Sequence, residues 1–177
     1  MPKRERLAQH NKLLKALPTA EYQQLRPHLE SLTLPTKQVL YNDRQPIEYI
    51  YFLQSGAASL LTRMEDGSYI EVVMVGNESV IGVPIFLGVE QLNWQACWQS
   101  LPGDALRMRA DHFKDTVQSM TFLPTLLRRY TQTLLNQITY LAVCHHQHSI
   151  RESYCRWILT AQDRLGTDEF CLYSKWL

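Results

Sequence analysis

The sequence predicts an α+β protein. The expected fold is an antiparallel β-roll (double-stranded β-helix or jelly roll) with flanking helices and a long C-terminal helix suited to dimerisation. Three observations carry this. From Leu32 to about Arg109, short runs rich in Val, Ile, Tyr and Leu are separated by turn residues. Asp66-Gly67 lies between two such runs, where glycine tolerates the positive φ of a tight hairpin turn. Beyond Ala110 the apolar period becomes helical, with a sustained stripe from Leu123 onward.

Taken in order, residues 9 to 30 read as short helices. Leu13, Leu14, Leu17, Tyr22, Leu25 and Leu29 recur at helical intervals, and Pro18-Thr19 starts a second turn. The strand runs follow: "QVLYN", "YIYFLQ", "AASLLTRM" and "YIEVVMV", then "NWQACWQS" and "DALRM" around Pro102-Gly103. Many short strands at this spacing argue for a sandwich or barrel, cupin-like in outline. "DHFKDTVQSM" reads as a short amphipathic helix with Asp111 as its N-cap. A long helix is expected from about Leu123 to His146, with Pro124 tolerated in its first turn. A last helix, about Ser149 to Leu165, ends at Gly166. The expected organisation is N-terminal helices over 1–31 and a β-roll with a short helix over 32–121. The long helix and its successor fill 122–166, and a tail covers 167–177.

Composition narrows the function classes. The chain has 177 residues, 45% hydrophobic, enough for a buried core. A net charge of +1 lacks the basic footprint of a stand-alone DNA binder. No window approaches the roughly 18 apolar residues of a membrane span, so no membrane partner is expected. The basic start, "MPKRERLAQHNKLLKAL", lacks the long apolar core of a signal peptide, which predicts a cytoplasmic protein. Four irregularly spaced cysteines are too few for a disulfide scaffold and are expected to be reduced.

The order of parts resembles the Crp/Fnr family of bacterial transcription regulators. The residues that carry the resemblance are "YIYFLQSGAASLLTRMEDGSYIEVVMVGNESVIG" and the long helix after Leu123. The first stretch is similar to the family's Phe-x-x-x-x-Gly, its Asp-Gly hairpin and its Gly-x-x-x-x-x-Gly turn. The likeness spans about residues 10 to 167. It implies a cyclic-nucleotide-binding-type β-roll that senses a ligand, a dimerisation helix, and a C-terminal helix-turn-helix that binds DNA.

Two departures from the family pattern shape the expected function. In nucleotide-binding members a Gly-Glu pair takes the ribose hydroxyl, and an Arg about ten residues on neutralises the phosphate. Here Gly82 matches the glycine, Val83 and Pro84 follow, and Asn93-Trp94 occupy the Arg region. A phosphate buried without its cation costs on the order of 3–5 kcal/mol, so neither cAMP nor cGMP is the expected ligand. Glu78 would only repel a phosphate. A retained pocket would be lined by Val83, Pro84, Asn93, Trp94 and Gln95, whose amide and aromatic groups suit a neutral effector of unknown identity. The same residues also read as ordinary core and loop. The second departure is the end. "CLYSKWL" is too short for a recognition helix, so DNA binding is expected only through a further C-terminal domain absent here.

Leu123, Leu127, Tyr130, Leu134, Gln137, Leu141 and Cys144 follow at alternating steps of four and three, a heptad seam. The reading is a homodimer through Leu127, Tyr130, Leu134, Ile138 and Leu141, although such a stripe also suits the core of a monomer. "CHHQHS" offers Cys144 and His148 on one helical side, but the donor set is incomplete and a helix end is the simpler reading, so no metal is expected. No cysteine precedes Cys97, which leaves no N-terminal iron–sulfur cluster. A haem would lean on Pro2 and Cys97 alone, so no cofactor is expected. No nucleophile or acid–base set is present, and the chain is not expected to be an enzyme. Two functions follow: an effector-sensing, dimerising domain of a transcription regulator, or an interaction module that pairs with a full-length relative without any ligand.

Overall fold

The structure, a computed structural model, describes residues 10–169, the His145 side chain excepted. Pro2, Cys171 and most of the expected tail lie outside these residues.

Eight short antiparallel strands form two four-stranded sheets, as the turn-punctuated pattern predicts. They are β1 (Glu30–Leu34), β2 (Val39–Tyr41), β3 (Tyr49–Leu53), β4 (Ala58–Arg63), β5 (Tyr69–Val75), β6 (Val80–Ile81), β7 (Trp94–Trp98) and β8 (Gly103–Arg109). One sheet runs β1-β8-β3-β6 and the other β2-β7-β4-β5. Non-sequential neighbours in both sheets are what a roll requires, since the chain winds between its two layers. The β4–β5 hairpin turns at Asp66-Gly67 as expected. Gly67 has φ +84°, and the Asp66 carboxylate accepts from the Ser68 amide at 2.9 Å. A bulge falls between Leu60 and Leu61.

Two short helices precede the roll, α1 (Lys12–Ala16) and α2 (Thr19–Leu25). Asn11, fully buried, fixes α1 from both sides. Its Oδ1 accepts from the Leu14 amide at 3.1 Å, and its Nδ2 donates to the carbonyls of Leu53 and Ser79, each at 2.9 Å. A polar residue survives there because every hydrogen-bonding atom of its amide group is used.

After the roll come α3 (Ala110–Gln118), α4 (Phe122–Gln147) and α5 (Ile150–Leu165). Asp111 is not the N-cap of α3. Arg109 holds that position without a side-chain cap, and Asp111 lies in the first turn. There the Arg109 guanidinium, with the His112 amide, holds the Asp111 carboxyl down at about 2. The cap of α4 comes from far away in sequence. Thr121 offers no capping bond of its own. Instead the buried Glu21 carboxylate of α2 accepts from the amides of Thr121 (3.0 Å), Phe122 (2.7 Å) and Leu123 (2.8 Å). A carboxylate on exposed helix amides also meets the positive end of the helix dipole. Helix α5 opens with a capping box, Ser149 with Glu152, and closes at Gly166 in the left-handed region. No described helix is long and apolar enough to cross a membrane.

Candidate functional site

The glycine-led turn and short helix expected from the sequence are present. Gly82 follows β6 with φ +96°, and a Cβ there would meet Ile50 Cδ1 at 2.8 Å. Both facts require glycine. A 3-10 helix, Val83–Ile85, comes next, then an exposed loop that returns to β7.

The five residues expected to line a pocket sit in different surroundings. Val83 and Pro84 are buried, and Val83 belongs to the main core. Asn93 is exposed. Trp94 packs on the core, with its ring edge-on to Tyr41 at 5.4 Å between centroids. Gln95 is buried, and its amide donates to Asn42 Oδ1 at 2.7 Å. Trp94 and Gln95 are neighbours in a strand, so their side chains leave opposite faces of the sheet. A single pocket uses one of them, not both.

Two cavities lie elsewhere. One of about 690 Å³ sits outside the 3-10 helix, lined by Phe86, Phe113, Met120, Pro124 and Arg128 among others. The Arg128 guanidinium lies 5.8 Å from the centre of the Phe86 ring. Another, of about 320 Å³, lies between β5, α4 and α5. The hydrophobic period of the sequence points to neither, because each is assembled from elements distant in the chain.

The long helix shows how one stripe can be covered without a partner. Leu123 and Leu127 are fully buried, while Tyr130, Leu134, Ile138 and Leu141 are partly buried and pack against the same core. Tyr130 donates to the Val80 carbonyl at 3.4 Å, and burial raises its pKa well above the usual phenol range. Residues of the expected dimer seam thus also pack on the protein's own roll, Leu127 fully and Tyr130, Leu134, Ile138 and Leu141 in part. The outer face carries Leu135, Thr139, Ala142 and Val143, all exposed, with Leu135 at 55% and Val143 at 57%.

Helix α5 is tied back to the roll at two places. At its C-terminal end Arg164 pairs with Glu78 at 3.1 Å. A Cβ on Gly76 would stand 3.0 Å from the Arg164 carbonyl, so the turn before β6 and the helix end are in direct contact. In mid-helix Trp157 donates to Glu71 Oε1 at 2.9 Å, while the Ser59 hydroxyl donates to the other carboxylate oxygen. Burial pushes the Glu71 carboxyl up, and those two donors only partly offset it. Sequence reading missed Glu71, although an acid inside "YIEVVMV" was a visible anomaly.

In "CHHQHS", Cys144 is buried, His146 and His148 are exposed, and the His148 amide closes α4 on the Cys144 carbonyl at 2.9 Å. Among the described residues no three metal-ligating side chains converge. Cys97 is buried in β7, where burial raises its thiol pKa.

A roll of two antiparallel sheets, a glycine-led short helix between β6 and β7, and a long helix packed on the roll make up the fold typical of cyclic nucleotide-binding domains. A profile of the cyclic nucleotide-binding domain matches residues 31–120, just over half of the chain, and the chain belongs to that family. No curated protein matches it. Solved structures share its fold at low identity. The regulatory subunit of a cAMP-independent protein kinase A from Trypanosoma brucei is 18% identical, with a TM-score of 0.62 over 73% of this chain. This chain spans 46% of that subunit, less than half its length. The c-di-GMP-responsive global regulator CLP of Xanthomonas campestris is 11% identical, with a TM-score of 0.66 over 80% of this chain and 71% of its own. The sensor domain of the transcriptional regulator DNR from Pseudomonas aeruginosa is 18% identical, with a TM-score of 0.59 over 75% and 89%.

Proposed function

We propose that the chain is the effector-sensing, dimerising part of a Crp/Fnr-like transcription regulator that does not respond to cAMP. One observation carries the second half of this reading. Where a cyclic phosphodiester would need an acid and a cation, Val83 is buried in the core and Asn93 is exposed without charge. Titration of cAMP by calorimetry should therefore give no saturable heat at low-micromolar concentration. Tight binding would overturn the assignment. Two of the structural neighbours described above are named as cAMP-independent and as c-di-GMP-responsive, so the fold is compatible with other inputs.

Dimerisation is assigned to the face of α4 turned away from the roll. Residues 130–150 contain no Asp, Glu, Lys or Arg, although much of that helix surface is exposed. Depletion of charge is the mark of an interface centre rather than of a solvated face. Leu135→Glu should convert a dimer to a monomer in light scattering while changing unfolding free energy by no more than about 0.5 kcal/mol. An unchanged mass would remove this face from consideration. In the regulator, the spacing of two α4 helices would set the spacing of two DNA-reading modules, each reached through α5.

A second reading, an interaction module that pairs with a full-length relative and needs no ligand, is favoured by one feature. Trp94 packs edge-on against the Tyr41 ring and Val83 is buried in the core, so both are engaged within the roll itself. The two readings part on whether any small molecule raises the melting temperature of the protein.

A further inference from the structure

The cavity between β5, α4 and α5 has a feature that packing alone does not explain. Its walls are mostly apolar: Ile70, Val73, Met74, Leu141, Tyr154 and Trp157. Yet Arg156 also lines it, and both Nε and Nη1 of that guanidinium are buried without a hydrogen-bond partner among the described residues. Arg156 as a whole is half-buried, but buried donor atoms without a partner are costly, and in folded proteins such atoms normally have one. The acid that shares this cavity is already engaged, because Glu71 binds Trp157 and Ser59 with its two oxygens. Another acid of α5, Glu152, is held in the capping box.

We propose that this cavity binds a small amphiphilic carboxylate. Its anionic end pairs with Arg156, and its apolar body lies between Met74, Leu141 and Trp157. Arginine is suited to this role because its guanidinium stays charged and donates hydrogen bonds to carboxylate oxygens. The cavity volume, about 320 Å³, lies at the lower end of the range of about 300–1,000 Å³ that ligand pockets occupy. The site is separate from the glycine-led turn and does not depend on the regulatory reading. Its ligand would touch α4, α5 and β5 together, and so would fix the angle at which α5 leaves α4.

The test compares octanoate with 1-octanol, which share an apolar tail and differ in charge. Both are titrated into the full chain, followed by calorimetry and by tryptophan fluorescence. Octanoate should bind at least tenfold more tightly than octanol. Arg156→Met should abolish that preference and leave octanol affinity unchanged. Arg156→Lys, which keeps the charge, should retain part of it even if the Met variant folds poorly. Ser153→Phe, at the cavity wall, should weaken both ligands. Equal affinity for the two probes, no saturation with octanoate, or an undiminished preference in Arg156→Met would each overturn the proposal.

Discussion

Trp98→Ala should lower the unfolding free energy by about 4 kcal/mol, within the range for deleting a fully buried aromatic side chain. Trp98 is fully buried in β7, and its indole N–H donates to the Leu101 carbonyl at 3.0 Å. Its ring lies in a slot left by two glycines. A Cβ on Gly56 would stand 2.4 Å from Trp98 Cζ2, and one on Gly103 would stand 2.8 Å from the same atom. Backbone forms the sides of this slot, so truncation leaves a void that cannot close by side-chain rotation. Urea denaturation of wild type, Trp98→Phe and Trp98→Ala should give a graded series. A loss below about 1 kcal/mol for the alanine variant would mean that the slot collapses, contrary to its rigid walls.

Glu21→Ala should cost about 2–3 kcal/mol, because one carboxylate satisfies three amides at the start of α4. The effect should depend on pH, with a sign fixed by the geometry. Burial pushes the Glu21 carboxyl up, but the three amides and the Thr121 hydroxyl outweigh it, leaving the folded pKa below the ordinary value of 4.5. A carboxyl depressed on folding contributes stability that is fully present above its unfolded pKa and disappears as pH falls through the folded one. The gap in melting temperature between wild type and Glu21→Gln should therefore be constant near neutrality and shrink in acid. A gap that stays constant through the acid range would show that the charge of Glu21 contributes nothing.

The roll was legible in the sequence because its turns announce themselves. Gly67 and Gly82 each stand where the backbone needs a positive φ, and the runs between turns are rich in Val, Ile, Leu and Tyr. The stripe on α4 was legible too, but not what covers it. Spacing of three and four says that one face is buried. It does not say how much of Leu127 or Leu134 meets their own sheets; here Leu127 is fully covered by the protein's own core and Leu134 only in part. At Gln95 a local rule argues against a pocket shared with Trp94, since the two alternate across a sheet. The pocket expectation also assumed that residues flanking one loop share one cavity. The Glu21 cap and the unpaired Arg156 were beyond reach of pattern, because each depends on partners brought from distant segments. An acid within an apolar run, as at Glu71, was the one local sign of the polar network under α5.

The Glu21 clasp has a mechanical consequence. It pins the first turn of α4 to the N-terminal helices, whereas the outer face of the far end is exposed. A helix of 26 residues extends about 39 Å at 1.5 Å per residue. Pivoting about the clasp by about 5° would sweep its distal tip through roughly 3 Å. A sub-ångström change where the roll touches the middle of this lever would thus arrive enlarged at His148, just before α5.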